Sequence, residues 1–248
     1  MARMQQLRPL VIVLDGEIGA GKTTLLELLS SELRRHGKAV ATVKEPVEKW
    51  KSLGILQDFY AAEGASAAHT AYAFQNYALT TRVAESFETA QASPLAEVVL
   101  MERSLYTDRH VFAEMLREQL GPRDFTIYAT LWELLEPQHP YRPSHFLYLK
   151  PSLEACMARV TCRARAGEVA APAKKAARGG GVTAPYQRRL RAAHESYFQG
   201  PRAPVPGSQV HVLEGRLADD DFAHDPAAAQ RITQEVFGHL GLAYCPPP

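Results

Sequence analysis

Gly16-Glu17-Ile18-Gly19-Ala20-Gly21-Lys22-Thr23 is a glycine-rich octet closed by a lysine and a hydroxyl. These residue types at this spacing bind a polyphosphate. Gly16, Gly19 and Gly21 let the backbone wrap an anion with its N–H groups, and a helix starting at the loop's end points its positive pole at the same place. Lys22 adds a mobile positive charge, Thr23 offers a hydroxyl for Mg²⁺, and Thr24 follows in the same turn. A Mg²⁺–phosphate site needs an acid beside that hydroxyl. Glu102 ends the apolar run Val98 to Met101, where phosphate-loop proteins carry such an acid. Arg103, next to it, can balance developing phosphoryl charge, and Glu45 is a further acid just past a strand-like run. Glu17 is the odd member, since an anionic side chain in a phosphate-binding turn is tolerable only if it points outward.

Alternating strands and helices are needed to position these groups. Leu10 to Leu14 is apolar without alternation, as a strand buried on both faces of a parallel sheet demands. The spacing of Leu25, Leu26, Leu28 and Leu29 predicts a helix from about Gly21 to His36, ended by Gly37. Ala39 to Val43 reads as a second strand, broken at Glu45-Pro46 because the residue before proline is driven out of helical geometry. Helices are expected over about 50–63 and 68–92, then a strand over 98–101. Two more helices follow at about 108–119 and 124–135, a strand at 145–149, and a helix from Pro151 through Val160. The last elements are helix 186–198, strand 209–213 and helix 226–239. Such an order predicts an α/β, three-layer fold of the P-loop NTPase type, a parallel sheet of about five strands with helices on both faces. Ligands then collect outside the carboxyl ends of the strands.

The bulk properties narrow the partners. The 248 residues fit one domain over 1–248, with no internal repeat. A net charge of +1 gives no field to recruit a nucleic acid. Cys156, Cys162 and Cys245 lack metal-ligand spacing and suit unpaired thiols in a reducing compartment. No stretch reads as a signal peptide or a membrane span, so a cytoplasmic protein is expected, with nuclear or organellar placement also compatible. Residues 166–184, rich in Ala, Gly and Lys, read as a mobile loop or insertion.

Several blocks together resemble the deoxyribonucleoside kinases. Lys44-Glu45-Pro46-Val47 with Trp50 is similar to their E-P-V…W segment. Phe74-Gln75-Asn76-Tyr77-Ala78 followed by Arg82 resembles their F-Q-x-Y-A…R helix. Glu102-Arg103-Ser104-Leu105-Tyr106-Thr107-Asp108-Arg109 resembles E-R-S-x-Y-S-D-R. Arg159, Arg163, Arg165 and Glu168 match the spacing of their arginine-rich lid, and His194-Glu195-Ser196-Tyr197 resembles the H-E-S-W run beyond it. The blocks keep the family's order from residue 10 to about 222. The likeness is to the deoxycytidine and deoxyguanosine kinase branch, and the interrupted lid with its Ala, Arg and Pro drift fits a viral member.

The resemblance implies ATP as phosphate donor, Mg²⁺ as cofactor and a deoxynucleoside 5′-hydroxyl as acceptor. It implies Glu45 as general base, acting with Arg103 and Lys22, and Thr23 with Glu102 as the metal residues. It assigns Gln75 to the Watson–Crick edge of the base, Trp50 and Phe112 to the packing around sugar and base, and Glu168 to the 3′-hydroxyl. Arg163 and Arg165 would close over the β- and γ-phosphates, and Asp219 to Phe222 would cover the donor's adenine. Arg82 and Asp108 correspond to a charged pair that thymidine-preferring members lack, so deoxycytidine and purine deoxynucleosides are expected over thymidine. Family members are usually homodimers through two helices beside the base site, here 68–92 and a neighbour.

The chain departs from the family pattern in two places. The lid is interrupted after Glu168, and the tyrosine that holds the 3′-hydroxyl has two counterparts, Tyr60 and Tyr72, between which spacing does not choose. Three other readings compete: a thymidine-preferring kinase, a thymidylate-type monophosphate kinase and a non-catalytic nucleotide-binding module. A monophosphate kinase needs extra cations for its acceptor and has no use for Glu45, because its acceptor is already ionised. A guanine switch lacks its N-K-x-D signal here.

Overall fold

The computed structural model describes residues 8–163 and 181–246. Its strands are β1 Leu10–Gly16, β2 Val40–Val43, β3 Val98–Glu102, β4 His145–Lys150 and β5 Gln209–Glu214. They form a five-stranded sheet in the order β2-β3-β1-β4-β5. Every pairing is parallel, so all carboxyl ends open on one edge, with Leu14 opposite Glu102 and Gly16 opposite Leu149.

Helices cover both faces. They are α1 Lys22–Arg35, α2 Val47–Ser52, α3 Ile55–Ala61, α4 Ala65–Ala92, α5 Leu105–Thr107 and α6 Arg117–Leu135. The chain continues through α7 Leu153–Arg163, α8 Ala184–Phe198, α9 Arg216–Asp219 and α10 Pro226–His239. Alternate side chains along a strand face opposite ways, and the sheet divides its core accordingly. Val11, Val13, Val99, Met101 and Tyr148 pack with Leu79 and Val83 of α4, Tyr128 of α6 and Phe198 of α8. Ile12, Leu14, Leu100 and Leu149 pack with Leu25 and Leu29 of α1 and Ile232 of α10. Burying each such side chain contributes roughly 1.5–3 kcal/mol, which is why β1 and β3 read as unbroken apolar runs up to Asp15 and Glu102. A smaller cluster of Val47, Trp50, Leu56, Phe74 and Ala78 sits beyond the end of β2.

Three elements differ from the sequence reading. The helix expected over 50–63 is two helices, α2 and α3, because Gly54 takes a left-handed φ of 78° that a continuing helix forbids. The helix expected over 108–119 opens as the single turn α5 and runs into a π-helix, Asp108–Ala113. The helix expected over 124–135 starts earlier, at Arg117, and is kinked where Gly121, with φ 73°, precedes Pro122. Most of the insertion expected at 166–184 lies outside the described residues; its end, Thr183, caps α8 by accepting a hydrogen bond from the Tyr186 amide at 3.2 Å. Among the described residues no helix is long and apolar enough to cross a membrane.

Candidate active site

The loop between β1 and α1 sits at the carboxyl edge of the sheet. Gly16 and Gly21 are obligatory there: both have positive φ, 142° and 98°. A Cβ on Gly16 would strike the Leu149 carbonyl, and one on Gly21 would lie 2.6 Å from the Phe222 ring. Lys22 is buried and donates from Nζ to the carbonyls of Gly16 at 3.2 Å and Glu17 at 2.9 Å. Burial, with the nearby Arg103 guanidinium, pulls its ammonium down to about 8 against the opposing pull of Glu102 and Glu45. Thr23 Oγ1 stands 3.0 Å from both carboxylate oxygens of Glu102. Burial and the neighbouring Glu45 charge push the Glu102 carboxyl up. A hard divalent cation bound between Thr23 and Glu102 would relieve that charge, and these oxygens suit Mg²⁺, which takes few protein ligands and completes its shell with water and phosphate.

A cleft runs outward from this loop over Thr24, Arg159, Asp219 and Phe222. Arg159 braces its wall. Its guanidinium donates to the carbonyls of Ala20, Ala218, Asp219 and Asp220 at 2.9 to 3.2 Å and stands 5.6 Å from the Phe222 ring centre. Phe222 lines the cleft beside the loop, with its ring buried in the core and packed over Gly21.

On the other side of Lys22 lies a second cavity, with about 700 Å³ of empty space, part of it open to solvent. One wall is aromatic: Trp50 meets Phe74 edge-on at 5.4 Å, and Phe74 stacks on Phe59 at 4.9 Å. Trp50 is fixed by its indole N–H, which donates to Thr81 Oγ1 at 2.9 Å. Phe112, Tyr60 and Tyr186 also line the space. Gln75 lines it from α4; its side chain is buried and its Nε2 has no hydrogen-bond partner within the protein. An unsatisfied buried amide costs about 1–3 kcal/mol, which an acceptor on a bound ligand would recover.

The far end of this cavity is a buried charge network. Glu45 Oε1 accepts from Arg82 Nη2 at 3.1 Å and forms an ion pair with Arg103 Nε, also at 3.1 Å. Arg82 grips Asp108 with two bonds, Nε to Oδ2 at 2.7 Å and Nη2 to Oδ1 at 3.2 Å. Burial opposes the Arg82 charge, but Asp108 and Glu45 outweigh it and hold the guanidinium firmly protonated. Arg103 Nη1 donates to Asp15 Oδ1 at 3.1 Å. Asp15, fully buried, also accepts from the Gly16 amide at 2.9 Å and from the Thr107 hydroxyl, and lies 3.2 Å from His194 Nε2. Burial alone would raise its carboxyl; His194, Arg103 and Thr107 overcome that and hold it at about 2. Arg103 has φ 63°, the one positive value outside glycine among the described residues, at a strain of roughly 1–2 kcal/mol. Its amide still bonds the Leu14 carbonyl at 2.9 Å, so the sheet ladder is kept while the side chain turns into the cavity.

The expected residues therefore fall into two adjoining groups. Glu45, Trp50, Gln75, Arg82, Arg103, Asp108 and Phe112 surround one cavity with Lys22. Gly19, Gly21, Lys22, Thr23, Thr24, Glu102, Asp219 and Phe222 line the cleft beside it, with Gly16 at the base of the loop. Arg163 is the last residue of α7, and Arg165 and Glu168 lie outside the described residues. Tyr60 faces the cavity, whereas Tyr72 packs against the core behind it. Glu17 overturns its expectation. It points inward, is fully buried and accepts from Arg191 Nε at 2.7 Å, because a cation on α8 reaches beneath the loop to neutralise it. Asp15 and Tyr186 were missed. An acid in an otherwise apolar strand was a signal for Asp15, whereas nothing local marked Tyr186.

Burial also defines the charge state of Glu45. It opposes ionisation, but Arg103, Arg82 and Lys22 prevail and hold the carboxyl below the usual range. An ionised carboxylate at the junction of a phosphate loop and an aromatic cavity can accept a proton from a neutral hydroxyl and would repel an anionic acceptor. A family model described as deoxynucleoside kinase matches residues 12–240. No curated protein matches the chain.

Proposed function

Because the chain belongs to the deoxynucleoside kinase family, with the match spanning residues 12–240, we propose that it transfers the γ-phosphate of ATP to the 5′-hydroxyl of deoxycytidine and purine deoxynucleosides. The observation that carries this reading is the place of Glu45, which lines the same cavity as Lys22 and Gln75 and is ion-paired with both Arg82 and Arg103. A nucleoside seated with its base against Gln75 and its sugar along Trp50 presents the 5′-hydroxyl to Glu45. Tyr60 is the tyrosine we assign to the sugar's 3′ side, since it is the one of the pair that faces the cavity.

The donor's phosphates lie on the loop amides, with Lys22 leaving its two carbonyl partners to meet them. Arg103 stands between Asp15 and Glu45 and turns positive charge toward the transferring group. A loose phosphoryl transition state needs little push from the nucleophile, so Glu45 need only take the proton late, and a weak, fully ionised base is sufficient. Thr23 and Glu102 are the residues we assign to Mg²⁺, which when bound neutralises phosphate oxygens. Phe222 packs on the donor's adenine. Arg163, Arg165 and Glu168 retain the lid roles that the family pattern implies.

The Arg82–Asp108 pair supports the base preference. It offers acceptor and donor atoms to an exocyclic amino group and its partner edge, and it fills the space a thymine methyl would need. A homodimer is proposed through α4 and α6, which pack together and leave Ile127, Leu131 and Leu134 exposed along one stripe of α6. A cytoplasmic enzyme of nucleotide salvage is the setting this implies.

ADP release measured with a panel of nucleosides and nucleoside monophosphates tests the reaction. Release with deoxycytidine, deoxyadenosine or deoxyguanosine is expected; release with monophosphates alone would contradict it. Lys22 gives a second test. With its ammonium at about 8 in the free enzyme, part of the population is neutral at pH 8.5, and contact with phosphate must raise it again. ATP binding is therefore expected to take up more than about half a proton per site at pH 8.5 and almost none below pH 7. Calorimetry in two buffers of different ionisation enthalpy reads this directly, and a Lys22→Arg variant should abolish it. Proton release, or no exchange at pH 8.5, would refute the assignment.

A further inference from the structure

Glu17 takes no part in the chemistry above, yet it stands inside the phosphate loop and is fully buried. Its Oε1 accepts from Arg191 Nε at 2.7 Å and from the Tyr148 hydroxyl at 3.2 Å, while Oε2 has no partner within the protein. Arg191 also bonds the Pro151 carbonyl, which holds its guanidinium in place. Two more side chains of α8 reach the same stretch of chain. Gln187 Nε2 donates to the Ile18 carbonyl at 2.5 Å, and His194 Nε2 lies 3.2 Å from Asp15 Oδ1. Positions 187, 191 and 194 follow i, i+4, i+7 spacing, a single stripe of a helix, and they meet residues 18, 17 and 15 in turn. From its first turn the same helix sends Tyr186 to the acceptor cavity.

We propose that Arg191 is a positioning residue for the phosphate donor: it neutralises the Glu17 carboxylate beneath the loop and, with Gln187 and His194, keys α8 onto residues 15–18. The inference rests on the reading that this loop holds the donor's phosphates. Without Arg191 a bare carboxylate sits under an anion site, in surroundings where charges are poorly screened. Lys22 is drawn in as well, because one of its two resting partners is the backbone carbonyl of Glu17 itself. A merely structural ion pair would show a different pattern: loss of either partner would weaken the fold, and neither would act on one substrate alone.

Three variants separate these cases: Arg191→Met, Glu17→Gln and the two combined. ATP and deoxycytidine affinities are read by calorimetry, KM for each substrate by initial rates, and folding by thermal melting. Arg191→Met is expected to weaken ATP roughly tenfold or more while leaving deoxycytidine within about twofold. Adding Glu17→Gln removes the bare charge and should bring ATP back to within about threefold of the parent. Glu17→Gln alone should bind ATP at least as tightly as the parent, since it leaves an extra cation near the phosphates. Unchanged ATP affinity in Arg191→Met, no recovery in the double variant, or weaker ATP binding in Glu17→Gln would each overturn the proposal. If Arg191→Met does not fold, Glu17→Gln and the neutral double variant decide it. A parent enzyme that binds no ATP would instead contradict the donor reading.

Discussion

Glu45→Gln is expected to lower kcat by about a thousandfold, near 4 kcal/mol of transition-state stabilisation, with KM for the nucleoside moved only a few-fold. The amide keeps the shape of the carboxylate and one acceptor oxygen for Arg82 and Arg103, but it cannot take a proton. The fold should survive. Arg82 retains Asp108 through two bonds, and Arg103 retains Asp15, so neither cation is left alone in the interior. An intact melting transition with a collapsed kcat is therefore the expected pair of results. A kcat within tenfold of the parent would remove Glu45 from the proton-accepting role. A large rise in KM alone would make it a binding group.

Replacing Arg82 and Asp108 together, as Arg82→Met with Asp108→Ala, is expected to raise the thymidine to deoxycytidine ratio of kcat/KM by roughly 10²–10³. The pair must go as a unit. Asp108→Ala alone leaves a buried guanidinium whose only remaining carboxylate is Glu45, and that tighter grip should slow transfer to every nucleoside. Arg82→Met alone leaves Asp108 buried without its cation, a loss on the order of 3–5 kcal/mol in stability. The double variant removes both charges, opens room for a methyl group and leaves the Glu45–Arg103 ion pair in place. Specificity constants for the four deoxynucleosides, with melting temperatures for the singles and the double, check all three statements. A double variant that keeps the parent's preference would show that the base is chosen elsewhere, and Gln75 would be the next residue to test.

Much of this site was legible because its residues are local to strand ends. In a parallel sheet all carboxyl ends share one edge, so residues following apolar runs, such as Gly16 to Thr23, Glu45, Glu102 and Arg103, are brought together by topology alone. Gln75, Ala78 and Arg82 were legible for a second reason, since helical periodicity puts them on one face of α4. What stayed hidden depends on which elements end up as neighbours. Glu17 and Arg191 are far apart in sequence and meet only because α8 packs beneath the loop, so a local reading sent Glu17 outward to solvent. For Asp15 the sequence offers an acid at the end of an apolar strand, but its partners Arg103, Thr107 and His194 meet it only in the fold. Tyr60 and Tyr72 lie on different helices, α3 and α4, with Gly64 at a positive φ of 57° between them, so spacing alone did not show that Tyr60 is the one lining the cavity. The widened helix at Asp108–Ala113 likewise left no local mark, although it carries the aspartate that grips Arg82.

The most direct test is a comparison of two ligands by calorimetry, with no ATP present: deoxycytidine and its 5′-monophosphate. With an ionised Glu45 held by Arg82 and Arg103 at the end of the cavity, a neutral 5′-hydroxyl should be welcomed and a 5′-phosphate repelled. Deoxycytidine is expected to bind about tenfold or more tightly than deoxycytidine 5′-monophosphate, and Glu45→Gln should narrow that gap. Tighter binding of the monophosphate would contradict an acceptor that enters with a free hydroxyl.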